Sequence, residues 1–528
     1  MFYFHLLNAK INNSEKMKLR VKKINFETGN TKDVVINKKD ALQLGQKAGE
    51  RVYIKNVKAK SLESKYWVAI IQIDYSDSIV KPGEIGIFLD ILKEKNELVE
   101  NTIISVKPAD PPDSFRFIKK KIQGKKLTSE EINSIISDAV SGSLSKIDLA
   151  AFITAVSING MDNEEMTALT LAEVRSGDIF YFGMDVFDKH STGGVPGNKV
   201  SLIIVPIVSA AGLLIPKTST RAITSPSGTA DSMEALAPVS FTSNMLKDIV
   251  SKQKACIIWG GALNTSPADN ILIEIERPLH MDPIGLMIPS ILTKKLSLGV
   301  KKLVLDIPVG EGTKFPTPDD GKQFAYIFKE IAKNVGIEAE CALTLAHQPI
   351  GHAIGPALEA REALKLLIDY SAGPNSLIEK STELAGILLE MGGKAQKGKG
   401  QTLAKEILKS GRAHTKMKEI IQAQGGNPEI QPEDIKVGPY IKDFYTIKEG
   451  HITEVKNAII NQIAKAAGCP QSKSSGVEIF KKQGARIKQG DLIFRIYSDS
   501  ESKLKKAEKI YNSTGGPIIL GGMMIERI

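Results

Sequence analysis

The stretch Lys189-His-Ser-Thr-Gly-Gly-Val-Pro-Gly-Asn-Lys-Val-Ser-Leu-Ile-Ile-Val205 runs from a polar, glycine-punctuated loop into an apolar segment. It stands at the head of the region, from about residue 180, where the chain takes on an α/β texture. Glycines at 193, 194 and 197 let backbone N–H groups approach and converge on one point. Ser191, Thr192 and Ser201 add hydroxyl donors and Lys189 adds charge, so the loop suits an anion. His190, inside it, suits an acid or an electrostatic stabiliser near neutral pH. Composition alone leaves a plain glycine-rich turn equally open. The run from Leu202 fits a buried parallel strand or a helix, because an unbroken apolar segment has no period to read. If a helix starts there, its positive end faces the loop and favours phosphate.

Working outward, a second hydroxyl-rich loop follows at the spacing of a successive βα turn: Lys217-Thr-Ser-Thr-Arg-Ala-Ile-Thr-Ser-Pro-Ser-Gly-Thr-Ala-Asp231. Ser219, Ser225, Ser227 and Thr229 with Arg221 can complete an oxyanion cage. Further on, Lys302-Leu-Val-Leu-Asp-Ile-Pro-Val-Gly310 reads as a buried parallel strand, and Gly321–Ala332 and Ala357–Leu367 carry the helical period. Upstream, Thr128 ahead of Ser129-Glu-Glu-Ile is a cap-like hydroxyl followed by early acids, and helical period continues through Leu149–Val156 and Asn163–Ala172. Before the proline-rich joint Lys107–Asp113, short β-branched segments (Asp33–Asn37, Arg51–Lys55, Tyr66–Ile73) alternate with turns, the pattern of a small β-rich domain. Beyond about 435 the tail suggests a small barrel-sandwich piece, without the Met-Lys-Met element that carries a swinging cofactor. Gly393–Gly400 nearly spells a phosphate-binding P-loop, but Gly400 stands where Ser or Thr is required and a helical run precedes it.

A chain of 528 residues is too long for one ordinary core. Its 42% hydrophobic and 25% charged residues place it among soluble globular proteins. The net charge of +10 is local: residues 1–60 hold 14 Lys/Arg against 5 Asp/Glu. A solvated basic face accounts for that run, so nucleic acid is not expected, although a non-catalytic nucleotide- or RNA-binding protein stands as the competing class. No apolar run reaches the length of a membrane span, and Met1–Leu7 lacks a basic region ahead of a proper apolar stretch. Three scattered cysteines (Cys256, Cys341, Cys469) fit a reducing cytoplasm and argue against a disulfide framework or a zinc site. A cytoplasmic location is expected.

Lys189–Gly194 is similar to the phosphate loop of the thymidine and pyrimidine nucleoside phosphorylases, and Ser219–Glu234 resembles their signature segment. Similarity continues through Ser266–Asp269, Ser290–Lys295, Asp306–Gly312, Gln348–Glu359, Ser410–Ala413 and Gln424–Gly426, covering roughly 112 to 528. The resemblance implies an α/β protein in four parts. These are a small β-rich domain over 1–95, a helical base-binding domain over 112–178 and 266–298, an α/β phosphate-binding domain over 183–265 and 301–434, and a C-terminal α+β part over 435–528. It implies a pentosyltransferase that cleaves a pyrimidine nucleoside with phosphate, thymidine giving thymine and 2-deoxyribose 1-phosphate. No metal or other cofactor is needed; inorganic phosphate is the co-substrate. By the same resemblance Lys189, Ser191, Thr192, Gly193, Gly194, Ser201, Ser219 and Thr229 would hold phosphate. His190 would assist departure of the base, Asp269 would donate a proton, and Arg221, Ser290 and Lys294 would bind the nucleoside. Read alone, Lys294-Lys295 is a solvated helix end. Hinges are implied near Gly177–Gly183 and Ser297–Gly299.

Departures from the pattern shift the substrate. Ser225-Pro-Ser-Gly-Thr229 stands where the thymidine enzymes carry a histidine and Thr-Gly-Gly-Thr. A base-contacting arginine has no clean counterpart, Ile275 or Arg277 falling near it, and the first loop is one residue longer at Gly194-Val-Pro-Gly-Asn-Lys199. These features and the N-terminal extension resemble the branch that includes AMP phosphorylase, in which that extension is associated with assembly, so a homo-oligomer is expected. The alternative substrate is therefore a nucleoside 5′-monophosphate (AMP or CMP), giving ribose 1,5-bisphosphate, with Lys199, Lys217 and Arg221 as candidate cations for the 5′-phosphate. Anthranilate phosphoribosyltransferase shares the implied fold, but the acids that would hold its metal are not arranged here.

Overall fold

A computed structural model describes residues 16–29, 32–57, 67–222 and 225–521. Met1–Leu7, Tyr66 at the head of one expected strand, and Ile223 and Thr224 of the second loop lie outside the described residues. The chain forms two compact units, Met1–Ser176 with Pro267–Leu286, and Gly177–Ser266 with Met287–Ile528.

The first unit opens with a closed barrel of six strands: Met17–Ile24, Asp33–Asn37, Arg51–Asn56, Trp67–Asp74, Glu84–Phe88 and Ile103–Pro108. Alternation sends Leu19, Val34, Ile36, Val52, Ile54, Ile85 and Ile87 to the interior. The barrel closes only through Ile103–Pro108, which pairs with both Met17–Arg20 and Val52–Asn56, so this layer runs past residue 95. Three helices of the bundle that follows begin with reciprocal caps: Thr128 with Glu131, Ser145 with Asp148, and Asp162 with Glu165. Glu165 is also buried against the Lys121 ammonium at 2.7 Å, and Phe152, Ile153, Leu169 and Leu272 fill the core between these helices.

The second unit is built on parallel strands. Glu338–Leu345, Val300–Val309 and Val186–Ser191 form one sheet, and Ile215–Ser219 with Ala255–Trp259 a second. The Phe187 amide donates to Leu214 O at 2.8 Å and a bridge joins Val186 to Leu214, which brings the two sheets edge to edge. From Val186–Ser191 the chain steps twice to one side, then crosses to Val300–Val309 on the other. The strand order therefore reverses beside Val186–Ser191, and in open α/β sheets ligands bind outside the carboxyl ends of strands at such a point. The run from Leu202 is a helix, Ser201–Ala210, with nine of its ten residues buried, including Pro206. A helix buried on all sides shows no polar stripe, which is why it also fitted a strand. Helices Pro356–Ile368, Asn375–Met391, Gly400–Lys409 and Arg412–Ala423 pack on the same core.

The C-terminal part is α+β. Tyr440–Tyr445, Leu492–Ser498 and Gly476–Ile479 form an antiparallel sheet completed by Ala353–Ile354, a strand from within the α/β region. A second sheet joins Arg486–Ile487, Gly450–Val455 and Ile518–Gly521, and helices Asn457–Ala467 and Glu501–Thr514 share the core. No helix of the described residues is long and apolar enough to cross a membrane.

Candidate active site

The carboxyl end of Val186–Ser191 carries Asp188-Lys189-His190-Ser191, and side chains along a strand alternate. Lys189 and Ser191 consequently meet one carboxylate, Asp306, whereas Asp188 meets a different set of lysines. Asp306 lies opposite Ser191 in the parallel register and is fully buried. Its Oδ2 accepts from Ser191 Oγ at 2.8 Å and Asn198 Nδ2 at 3.3 Å, with the ammonium groups of Lys380 at 3.0 Å and Lys189 at 3.5 Å. Its Oδ1 accepts from Thr344 Oγ1 at 2.6 Å, and its backbone carbonyl accepts from Thr192 N at 3.0 Å. Asp188, also fully buried, holds Lys295 Nζ at 2.6 Å and Lys217 Nζ at 3.5 Å. The next amide, Lys189 N, turns back to Asp188 Oδ1 at 2.7 Å.

Four buried lysines thus surround two buried aspartates, two ammonium groups more than there are carboxylates. Burying charge is costly unless it is compensated, and the lysines register this. Burial pulls the Lys217 ammonium down to about 7, partly opposed by Asp188 and reinforced by Lys295 and Lys189. Burial likewise pulls Lys189 down to about 8, with Asp306 opposing and Lys380 reinforcing. Burial acts to raise the Asp306 carboxyl, but Lys380, Lys189 and the Thr344 and Ser191 hydroxyls outweigh it and hold it well below the usual carboxylate range. His190 is pushed well below its ordinary value, first by burial and then by Lys295, Lys217, Lys294 and Lys189, so its imidazole is neutral at neutral pH. A neutral ring can donate one hydrogen bond but brings no charge of its own.

The loop after the strand is shaped by glycine at close approaches. Gly194 has φ +91°, and a Cβ there would lie 3.2 Å from Thr313 Cα; Gly197 has φ +72°, and a Cβ there would lie 2.5 Å from Ile350 O. Gly193 N donates to Ser191 Oγ at 3.4 Å and Asn198 Nδ2 donates to it at 3.1 Å. Thr192 Oγ1 is buried with no hydrogen-bond partner among the described residues. A buried hydroxyl without a partner is costly, and it marks a place prepared for one. Thr192 follows the strand end that carries Lys189 and the neutral His190, and the helix Ser201–Ala210 starts at the far end of the same loop.

Family models match this architecture in three consecutive pieces: a glycosyl transferase helical bundle domain over residues 116–177, a glycosyl transferase a/b domain over 183–414, and a pyrimidine nucleoside phosphorylase C-terminal domain over 451–514. A Methanosarcina mazei protein named AMP phosphorylase is 45% identical over 97% of this chain and 98% of its own length. The chain belongs to the nucleoside phosphorylase family of glycosyl transferases, in the branch with the N-terminal extension. It is an enzyme of the pentosyltransferase type. A Thermococcus kodakarensis AMP phosphorylase is 48% identical over 85% of this chain and 89% of its own. Among solved structures, anthranilate phosphoribosyltransferase from Thermus thermophilus covers 58% of this chain and 98% of its own at 19% identity and a TM-score of 0.50, a likeness of fold alone.

Within this family frame the residues singled out from the sequence divide clearly. Lys189, Ser191, Thr192, Gly193, Gly194 and His190 come together at the end of one strand. Ser201 is buried at the start of the following helix. Ser219 ends the neighbouring strand, its hydroxyl donating to Ile258 O at 3.2 Å, and Thr229 opens the short helix Thr229–Met233. Lys294 Nζ donates to Ser290 Oγ at 2.9 Å, the one-turn spacing expected of them. Both belong, however, to the α/β unit and not to the helical one. Lys295, expected as a solvated helix end, is buried on Asp188 and thereby ties the second half of the helix Ile284–Leu296 to that unit. Asp269 sits buried in the first turn of the helix Pro267–Leu279, in the other unit.

Of the three candidate cations for a 5′-phosphate, Lys199 is a structural group. Its ammonium is buried on Ile350 O at 3.0 Å and Glu362 Oε2 at 2.5 Å. Lys217 is drawn to Asp188. Arg221 forks onto Glu234 at 2.5 and 2.8 Å and lies 4.9 Å over the Trp259 ring, with its side chain 35% exposed. The implied hinge segments are knit together: Phe180 N donates to Ser297 O and Asp178 N to Asn264 O, both at 2.7 Å. Asp188, Asp306, Lys295 and Lys380 were not singled out as ligands from the sequence. Alternation along Phe187-Asp-Lys-His-Ser191 could have flagged Asp188; nothing local flags Lys380.

Proposed function

We propose that this enzyme is a nucleoside 5′-monophosphate phosphorylase: inorganic phosphate attacks C1′ of AMP or a related nucleotide and releases the free base and ribose 1,5-bisphosphate. The observation that carries the reading is a nearly full-length match to relatives named AMP phosphorylase, joined to a site with two more buried lysines than buried aspartates. These relatives favour the monophosphate over thymidine. A phosphate oxygen forms the new C1′–O bond as the C1′–N bond breaks; the bonding pair leaves with the base, which takes up a proton. Lys189, Lys217 and the Ser191–Gly194 loop hold the acceptor phosphate as a dianion, which meets the charge excess. His190, neutral when the site is empty, donates a hydrogen bond to phosphate, and the arriving anion raises its affinity for a proton. Lys294, held by Ser290, stabilises negative charge developing on the departing base. Arg221, stacked on Trp259 and partly exposed, is the cation that would meet the 5′-phosphate, sharing its guanidinium with Glu234. The reaction needs no cofactor; catalysis rests on alignment and charge.

The test is a substrate panel. AMP, CMP, UMP, adenosine and thymidine are each incubated with phosphate, and free base is separated by chromatography. The reading expects base from at least one monophosphate, strictly dependent on phosphate, and far less from the nucleosides. Base from thymidine but from no monophosphate would overturn it in favour of a nucleoside phosphorylase. No base from any substrate would remove phosphorolysis altogether.

A further inference from the structure

Each buried aspartate of the cluster holds one lysine tightly and one loosely. At Asp306 the tight partner by distance is Lys380 at 3.0 Å, an ion pair without hydrogen-bond geometry, and the loose one is Lys189 at 3.5 Å. At Asp188 the tight partner is Lys295 at 2.6 Å and the loose one Lys217 at 3.5 Å, whose ammonium also donates to Thr218 O at 2.9 Å. One lysine suffices to neutralise one carboxylate, so in each set the second ammonium is surplus. The tight partners come from helices remote in sequence, Asn375–Met391 and Ile284–Leu296, and the loose partners from the ends of two sheet strands next to the glycine loop. We propose that Lys380 and Lys295 are positioning residues: each neutralises its aspartate permanently and so frees Lys189 and Lys217 to take the acceptor phosphate.

The arrangement has a physical logic. An aspartate alone would be a poor neighbour for a phosphate site, since like charges repel; here both carboxylates are needed to orient the loop. Asp306 in particular fixes Ser191, Asn198, Thr344 and the Thr192 amide. Tight lysines cancel the charge without giving up the hydrogen bonds. Lys189 and Lys217, the pair whose ammonium groups are drawn down by burial, are then held without a full counter-ion, and phosphate supplies it. Without Lys380, Asp306 would claim Lys189 and withdraw it from the ligand. The buried excess would fall from two charges to one.

This inference rests on the phosphate-site reading above, and its test reads phosphate binding, which is separable from turnover. Calorimetric titration of inorganic phosphate into the full chain compares the wild type, Lys380→Met, Lys380→Arg and the double variant Lys380→Met/Asp306→Asn, each first checked for a cooperative thermal transition. Lys380→Met is expected to weaken phosphate by about tenfold or more, comparable to losing a charge-assisted contact. Lys380→Arg should stay within about threefold of wild type, because the charge is kept. The double variant restores the excess of two and should recover most of the affinity, which a purely structural role for Lys380 would not do. Binding unchanged in Lys380→Met, or a double variant no better than the single one, would overturn the proposal. If Lys380→Met does not fold, Lys295→Met against the double variant Lys295→Met/Asp188→Asn asks the same question at the second aspartate, with the same two outcomes. Absence of phosphate binding in the wild type would overturn the site reading itself, and absence of base release alone would leave the positioning role supported and the substrate reading refuted.

Discussion

Replacing Asp188 by Asn probes the charge balance of the cluster most sharply. The change is nearly isosteric, and the amide oxygen can still accept from Lys189 N, as Asp188 Oδ1 now does at 2.7 Å. What is lost is the counter-charge of Lys295, held at 2.6 Å, and of Lys217 at 3.5 Å, all three side chains being buried. Breaking a buried pair by removing one partner costs about 3–5 kcal/mol, because an uncompensated charge remains. Lys217 adds little above neutral pH, since its ammonium already titrates near 7 and can shed its proton. Lys295 carries most of the loss. The sign with pH follows from linkage. A lysine whose folded pKa is depressed binds fewer protons folded than unfolded between the two values, so stability rises with pH across that window. In the variant Lys217 loses the carboxylate that raises it to about 7, so its share of the penalty is largest at low pH and is relieved as pH rises towards 7. At about 2–4 °C per kcal/mol for a large domain, the expected drop in midpoint at pH 6 is roughly 6–20 °C. Thermal unfolding by circular dichroism at pH 6 and pH 9 measures it. A midpoint within about 2 °C of wild type at pH 6 would refute the claim that the lysines depend on Asp188.

Three further outcomes are expected. At pH 8, where Lys217 and Lys189 are partly deprotonated, phosphate binding should draw protons from solvent, seen as a binding enthalpy that depends on the buffer's ionisation enthalpy; equal enthalpies in phosphate-free Tris and HEPES would contradict the two shifts. His190→Ala should keep the wild-type thermal midpoint within a few degrees yet lower kcat by about 10²-fold or more, and unchanged turnover would remove His190 from the mechanism. Gly197→Ala forces a Cβ to within 2.5 Å of Ile350 O at a positive φ, so it should weaken phosphate more than about tenfold through the displaced loop, with a smaller effect on the KM for nucleotide; a wild-type phosphate affinity would show that the loop tolerates the shift.

Much of the architecture was legible where one local pattern had one physical meaning. Thr128 three residues before Glu131 can satisfy two orphan amides at once, and a helix starts there. The run Leu303–Val309 is apolar apart from Asp306 and bounded by Gly310, and it lies in the central strand of its sheet. Ser201–Ala210 was ambiguous for the reason just as physical: a helix with no exposed face has no stripe. The close approaches of the loop at Gly194 and Gly197 could be read from its glycines. The counter-ions could not, because Lys380 and Lys295 acquire their meaning only when the helices that carry them pack beside Asp306 and Asp188. Taken singly, a lysine at a helix end belongs in water. Lys199 shows the converse, a loop cation that looked available to a ligand and is consumed by Glu362.

The central claim is that a phosphate group supplied from solution replaces the base of a nucleoside 5′-monophosphate. Phosphorus NMR of the enzyme with AMP and inorganic phosphate tests it directly. Two phosphate esters, at C1′ and C5′ of one sugar, should appear in equal amounts, in step with loss of inorganic phosphate and release of adenine. Growth of the inorganic phosphate signal with adenosine as the product, or no change in any resonance, would contradict it.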